Sequence, residues 1–156
     1  MKTLCLYYTR TNTTKAAMEH LAKLLDADIA EYTDGKDRSG ALGYVGACFA
    51  GLKKNRKITV EGDISFRDYD RVLIGMPIWV EGPCVVGKAL IRQYADSLPR
   101  DVYYVVTQMG PSDYSSRIKK LDDLLGRPAA GQVSLKIKDN DFLKDAEEFA
   151  KTLKAD

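Results

Sequence analysis

The most informative feature of the chain is a change of apolar period within its first twenty-five residues. Leu4, Cys5, Leu6, Tyr7 and Tyr8 form an unbroken apolar run, which predicts a strand over 2–8 buried on both faces, as in a parallel sheet. Met18, Leu21, Ala22 and Leu25 then recur at i, i+3, i+4 and i+7 and draw one face of a helix. The alternation continues down the chain. Ala27–Tyr32 reads as a second strand, and Leu42, Val45, Phe49 and Leu52 keep helical spacing inside a glycine-rich stretch, 35–54. Gly43 and Gly46 cost that helix about 1 kcal/mol each against alanine, which predicts close packing or local irregularity. Tyr69–Met76, centred on Val72, Leu73 and Ile74, predicts a strand lying beside the first. Val86, Ala89, Leu90 and Tyr94 mark a helix beginning near Pro83, since proline suits a first helical turn. Val102–Thr107 is another continuous apolar strand, and Tyr114, Ile118, Leu121 and Leu125 share a helical face that Gly126 and Pro128 stop. Gln132–Ile137 alternates as an edge strand does, and Phe142, Ala146, Phe149 and Leu153 complete the last helix.

Five strand–helix alternations without repeats or linkers predict one α/β domain over 1–156. Right-handed crossovers make it a three-layer, doubly wound fold on a five-stranded parallel sheet. Ligands of such sheets bind beyond the carboxyl ends of the strands. Three loops leave those ends with unusual chemistry: Thr9–Thr14, Pro77–Pro83 and Thr107–Pro111. One site is expected where they meet.

The first loop, Thr9-Arg10-Thr11-Asn12-Thr13-Thr14, leads from a strand into a helix, where backbone N–H groups and the positive end of the helix dipole are unsatisfied. A single Thr suffices as a cap; four hydroxyls, an Asn and an Arg make a phosphate pocket the better reading. Familiar alternatives fail. The loop has neither the glycines nor the Gly-Lys-Ser/Thr ending of a nucleotide P-loop, and the dinucleotide pattern G-x-G-x-x-G is missing. A receiver domain would need acidic residues where Thr9-Arg10 and Met76-Pro77 stand. Cys5 precedes Arg10 by one residue too few for a phosphatase Cys-x5-Arg loop and lies mid-strand.

Tyr8-Thr9-Arg10-Thr11-Asn12-Thr13-Thr14-Lys15 resembles the phosphate loop of the flavodoxin family, a hydroxyl–x–Thr–Gly–x–Thr signature after the first strand. Gly75-Met76-Pro77-Ile78-Trp79 is similar to that family's second flavin loop, and Thr107-Gln108-Met109-Gly110 more loosely to its third. The likeness covers nearly the whole chain. It implies strand order 2-1-3-4-5 and FMN at the switch point. The implied FMN contacts are Thr9, Arg10, Thr11, Asn12, Thr13 and Thr14 at the phosphate, and Pro77, Ile78, Trp79, Val80 and Gly82 beside the isoalloxazine ring. Thr107, Gln108, Met109 and Gly110 line the remaining side, and Tyr114 is a candidate for the ring's other face. Trp79 offers a flat stacking surface, and Gly82 lets its peptide approach flavin N5. Asn12 stands where the family usually has Gly, and Asn tolerates the left-handed region better than most residues.

Composition adds limits. With 24 basic and 22 acidic residues the net charge is +2, which suggests neither nucleic acid nor a membrane surface, and is less acidic than the family's electron carriers. Three cysteines without a C-x-x-C pair, and an apolar opening broken by Thr9 and Arg10, suggest a reducing, cytoplasmic setting. No metal-ligand spacing occurs. Cys84 reads as packing, His20 as a surface residue, Tyr7, Tyr8, Tyr103 and Tyr104 as sheet packing, and Lys53–Lys57 as a solvated helix end. The expectation is an FMN protein that transfers electrons through its flavin to a redox partner protein or small acceptor, as monomer or homodimer. Alternatives are an NAD(P)H-dependent FMN reductase of quinones or other small acceptors, and a cofactor-free module that binds a partner through Lys53–Lys57.

Overall fold

A computed structural model describes residues 1–49, 56–138 and 142–155. Its centre is β1 (Thr3–Tyr7), every residue of which is buried. β1 pairs in parallel with β2 (Asp28–Thr33) on one side and β4 (Arg71–Trp79) on the other. β6 (Asp101–Gln108) follows β4, and β7 (Gly131–Lys136) closes the far edge, all parallel. The five long strands thus run β2-β1-β4-β6-β7, the expected 2-1-3-4-5 order. Two short antiparallel strands were not expected. β3 (Thr59–Val60) extends the edge beside β2, and β5 (Gly82–Pro83) folds back on the end of β4.

Alternation along the strands splits the core in two, because successive side chains face opposite sides of a sheet. Cys5, Tyr7, Leu73 and Val105 pack under α1 (Thr13–Leu25) and α6 (Phe142–Ala155). Leu4, Leu6, Val72, Ile74 and Val106 pack under α3 (Val85–Tyr94), α4 (Ser115–Lys119) and α5 (Leu121–Leu125). α1 comes close to the sheet at Gly75 of β4, where a Cβ would lie 2.5 Å from Cγ of Met18.

Several boundaries differ from expectation for physical reasons. Pro77, Ile78 and Trp79 are the last residues of β4 rather than loop, because Pro77 still pairs with Thr107 and Trp79 with Gly82. Pro83 therefore belongs to β5, and α3 begins only at Val85, with Cys84 as its cap. The helix expected over Tyr114–Leu125 is two five-residue helices, α4 and α5, although Ile118, Leu121 and Leu125 still share the buried face and Gly126 ends it at φ 76°. The glycine-rich helix, α2, spans Gly40–Phe49. Gly43 there is a close approach, its Cβ position falling against the Arg38 backbone, whereas no described residue lies near that of Gly46. Lys53 and Lys54 lie outside the described residues. Arg56 is not part of a solvated helix end, for its side chain is buried against Asp34. His20 is half-buried, 3.8 Å from a carboxylate oxygen of Glu147. No described helix is long and apolar enough to cross a membrane, and no metal-ligating cluster occurs among the described residues.

Candidate functional site

The three loops meet. Thr9, Arg10, Thr11, Thr13, Thr14, Pro77, Ile78, Trp79, Val80, Thr107, Gln108, Met109, Gly110 and Tyr114 line one cleft of about 450 Å³ beyond the carboxyl ends of β1, β4 and β6. Parallel pairing of these strands places the loops side by side. Asn12 turns the chain from loop to helix instead of lining the wall. Gly82 lies on the other side of the Trp79–Gly82 hairpin, in an adjacent cleft. Tyr44, Ala47 and Ile137 also line the first cleft and were not anticipated. Tyr44 had no sequence signal, since α2 carries no charge and its Leu42, Tyr44 and Val45 are all exposed.

At the entrance to α1, Asn12 adopts φ 65°, ψ 4°, the left-handed conformation that suits Asn or Gly. Its side chain makes no cap hydrogen bond, so the first-turn N–H groups of Thr13, Thr14 and Lys15 have no capping partner among the described residues. The hydroxyl oxygen of Thr9 is buried without a hydrogen-bond partner among the described residues. Such an orphan costs about 1–3 kcal/mol unless a ligand meets it. Thr11 and Thr13 hydroxyls lie 3.4 Å apart, and Thr14 and Thr107 share a buried hydrogen bond of 2.8 Å that ties the first loop to the third. Gln108, also buried, uses its amide N–H₂ to bond the carbonyls of Gly110 and Ser112, both at 2.7 Å, while its carbonyl oxygen accepts from Ser134. Gln108 therefore shapes the third loop from behind, and exposed Met109 and Gly110 form its rim.

Trp79 is half-buried and braced from behind. Tyr8 meets its ring edge-on with centroids 5.6 Å apart, and the Arg38 guanidinium lies 5.4 Å from the indole centroid. Arg38 is itself held by a fork to Asp34, at 2.8 and 2.7 Å, and donates to Tyr8 Oη at 3.2 Å. Arg56 bonds the same carboxylate at 2.9 Å. Burial would raise the Asp34 pKa, but the hydrogen bonds and charge of Arg38, with help from the Lys36 backbone and Arg56, hold it down at about 2. This triad of two cations and one carboxylate carries net positive charge beneath the Trp79 wall. Arg10 lies at the rim over the Tyr44 ring, 5.6 Å from its centroid. The Trp79 indole N–H is buried without a partner among the described residues. At the hairpin tip Val80 has φ 58° while Glu81 does not share the positive sign, the pattern of a turn that favours Gly at its first position. Cys84 is buried, its thiol pushed up to about 12 by burial, and its sulfur accepts from the Gly87 N–H at 3.4 Å. It is a packing and capping residue, not a nucleophile.

A cradle of free N–H groups and hydroxyls opposite an aromatic wall is the chemistry of a site for an anionic group attached to a flat ring. The fold around it is flavodoxin-like. The chain is similar to the flavoprotein of Lactobacillus acidophilus NCFM, solved in complex with FMN, with a TM-score of 0.71, 25% identity, and 92% of this chain and 97% of that one covered. A candidate flavoprotein from Bacteroides eggerthii gives a TM-score of 0.74 at 18% identity, covering 98% of each chain. Two-electron reduced flavodoxin from Megasphaera elsdenii gives 0.58 at 14% identity, covering 96% of this chain and 99% of that one. No family model matches the sequence, and no curated protein does.

Proposed function

We propose that the chain binds FMN in the cleft between the Thr9–Thr14 loop and Trp79 and transfers electrons through it. The observation that carries this reading is the uncapped start of α1 beside the orphaned Thr9 hydroxyl, in the same cleft as the indole wall. FMN fits what these residues lack. Its phosphate would take the N–H groups of Thr13, Thr14 and Lys15 and the hydroxyls of Thr9 and Thr11, with Arg10 adding charge at the rim. Trp79 would stack on the ring, a contact worth about 0.5–1.5 kcal/mol beyond burial. Bound FMN supplies the redox chemistry, accepting and donating one or two electrons. The residues of this chain orient it, exclude water from its inner face and keep fixed positive charge behind Trp79. Tyr114 and Met109, at the opposite rim, would limit access to the ring.

The test is titration of the purified chain with FMN and with riboflavin, read by the flavin absorption band and by quenching of Trp79, the sole tryptophan. FMN should bind much more tightly than riboflavin, and Trp79→Ala should weaken both. A chain that stays colourless with unquenched fluorescence at excess FMN refutes the reading and leaves a cofactor-free binding module. Equal affinity for FMN and riboflavin would move the phosphate away from Thr9–Thr14. Stoichiometric oxidation of NADPH by the loaded protein would make it a reductase; its absence would favour a carrier between proteins.

A further inference from the structure

Behind the Trp79–Gly82 hairpin lies a second cleft of about 740 Å³, walled by the hairpin, α3 and the α4–α5 pair. We propose that this cleft binds a small molecule carrying two phosphate groups. Its role as a soluble redox substrate rests on the FMN reading above, but its existence as a site does not.

Lys88 and Arg92 line one wall and Arg117 and Lys120 the other, against only Glu81 and Asp123. Four cations and two carboxylates leave an excess of two. The whole chain has an excess of two, 24 basic over 22 acidic residues, so the charges outside this cleft cancel. One carboxylate is already taken: Arg117 donates to the Glu81 carbonyl and, at 3.1 Å, to its carboxylate. That bond anchors the hairpin turn and holds Arg117 at the cleft wall. Lys88, Arg92 and Lys120 make no ion pair among the described residues. Arg92, in the last turn of α3, gains from the helix dipole, but Lys88 is mid-helix and half-buried, one turn before it. Like charges at i, i+4 destabilise a helix, a cost that an anion between them removes.

Cations on facing walls suit a ligand with two anionic groups, and arginine forks match phosphate oxygens. The concavity lies within the range of small-ligand pockets, roughly 300–1,000 Å³, which favours such a molecule over the surface of an acidic protein. Trp79 and Val80 line both clefts, so the occupant would sit across one hairpin from the flavin site.

The experiment is calorimetric titration of the full chain, with and without saturating FMN, against inorganic pyrophosphate and against NADH at constant ionic strength. The variants are Lys88→Ala/Arg92→Ala and, on the other wall, Lys120→Glu; none of these residues lines the first cleft. Both probes are expected to bind saturably, about tenfold or more weakly in the double variant, with FMN affinity unchanged. Pyrophosphate binding without NADH binding supports the site and points to a free diphosphate rather than a dinucleotide. Absence of saturable binding by either probe overturns the proposal, as do affinities equal to wild type in both variants, or binding of polyglutamate alone. Loss of FMN binding with the pyrophosphate difference intact would sink the flavin reading and leave this site standing.

Discussion

The Asp34 carboxylate tests whether the wall behind Trp79 is held electrostatically. Its side chain is 3% exposed and receives two hydrogen bonds from Arg38 and one from Arg56. With a folded pKa of about 2 against 3.8 unfolded, linkage assigns it roughly 2 kcal/mol of stability at neutral pH. The sign follows from the direction of the shift. A depressed carboxylate pKa contributes in full above the unfolded value, so this stabilisation is present above about pH 5 and lost as the pH falls through 2; about half is gone at pH 3. Asp34→Asn removes the charge while leaving two guanidinium groups buried, and should cost about 3–5 kcal/mol at pH 7. Urea unfolding of wild type and variant at pH 7, 4, 3 and 2 measures both quantities. The gap between them should narrow by roughly 2 kcal/mol from pH 7 to pH 2, since the protonated wild type approaches the amide. Near-UV circular dichroism of the single tryptophan should change in the variant, because Arg38 loses its anchor. A gap below 1 kcal/mol at pH 7, or one independent of pH, would refute the idea that Asp34 holds the cluster.

Three further substitutions test local geometry. Asn12→Gly should be neutral within about 0.5 kcal/mol and Asn12→Val should cost about 1–2 kcal/mol, since only the latter resists φ 65°; equal thermal midpoints would disprove the left-handed turn. Val80→Gly should stabilise by about 0.5–1 kcal/mol, the relief at φ 58° outweighing the entropy of glycine, and raise the melting temperature by about 1–4 °C. A lower melting temperature would mean the valine is not strained. Gly75→Ala should destabilise by about 1–3 kcal/mol, because the new Cβ would lie 2.5 Å from Cγ and 2.6 Å from Sδ of Met18. Adding Met18→Ala should return part of that loss, and simple additivity in chemical denaturation would rule out the contact.

What could be read from the sequence was whatever repeats with a period. The unbroken apolar runs at Leu4–Tyr8 and Val72–Ile74 located two buried strands and their adjacency, and the threonines located the loop between β1 and α1. Asn12 was legible too, because a residue type that tolerates positive φ stood where the turn needs one. The hairpin after β4 was not. Two prolines and a glycine within Pro77–Pro83 look like loop, yet Pro77 sits in the ladder at the register of Thr107, and Val80, not a glycine, takes the positive φ. Turn chemistry that breaks its own preference leaves no sequence signal. Nor were Asp34, Arg38 and Arg56 legible: charged residues far apart in a polar stretch read as surface until the fold buries them together.

That hairpin explains why the two clefts must be considered together. Its inner side is braced by Arg38 behind Trp79, its outer side by Arg117 on Glu81, and its tip holds a valine in a conformation it disfavours. Strain of this kind, about 1–3 kcal/mol, persists only where surrounding contacts over-determine the backbone. Those contacts include Arg38 against the Trp79 ring and Arg117 on Glu81, and Arg117 also lines the second cleft. A ligand that drew Arg117 away from Glu81 would release one of the two braces and let Trp79 shift toward or away from the first cleft. Occupancy of the diphosphate site should alter Trp79 fluorescence even in FMN-free protein, and Arg117→Ala should abolish that response while Lys88 and Arg92 still bind the anion. A fluorescence response that survives Arg117→Ala would mean the hairpin does not carry the coupling.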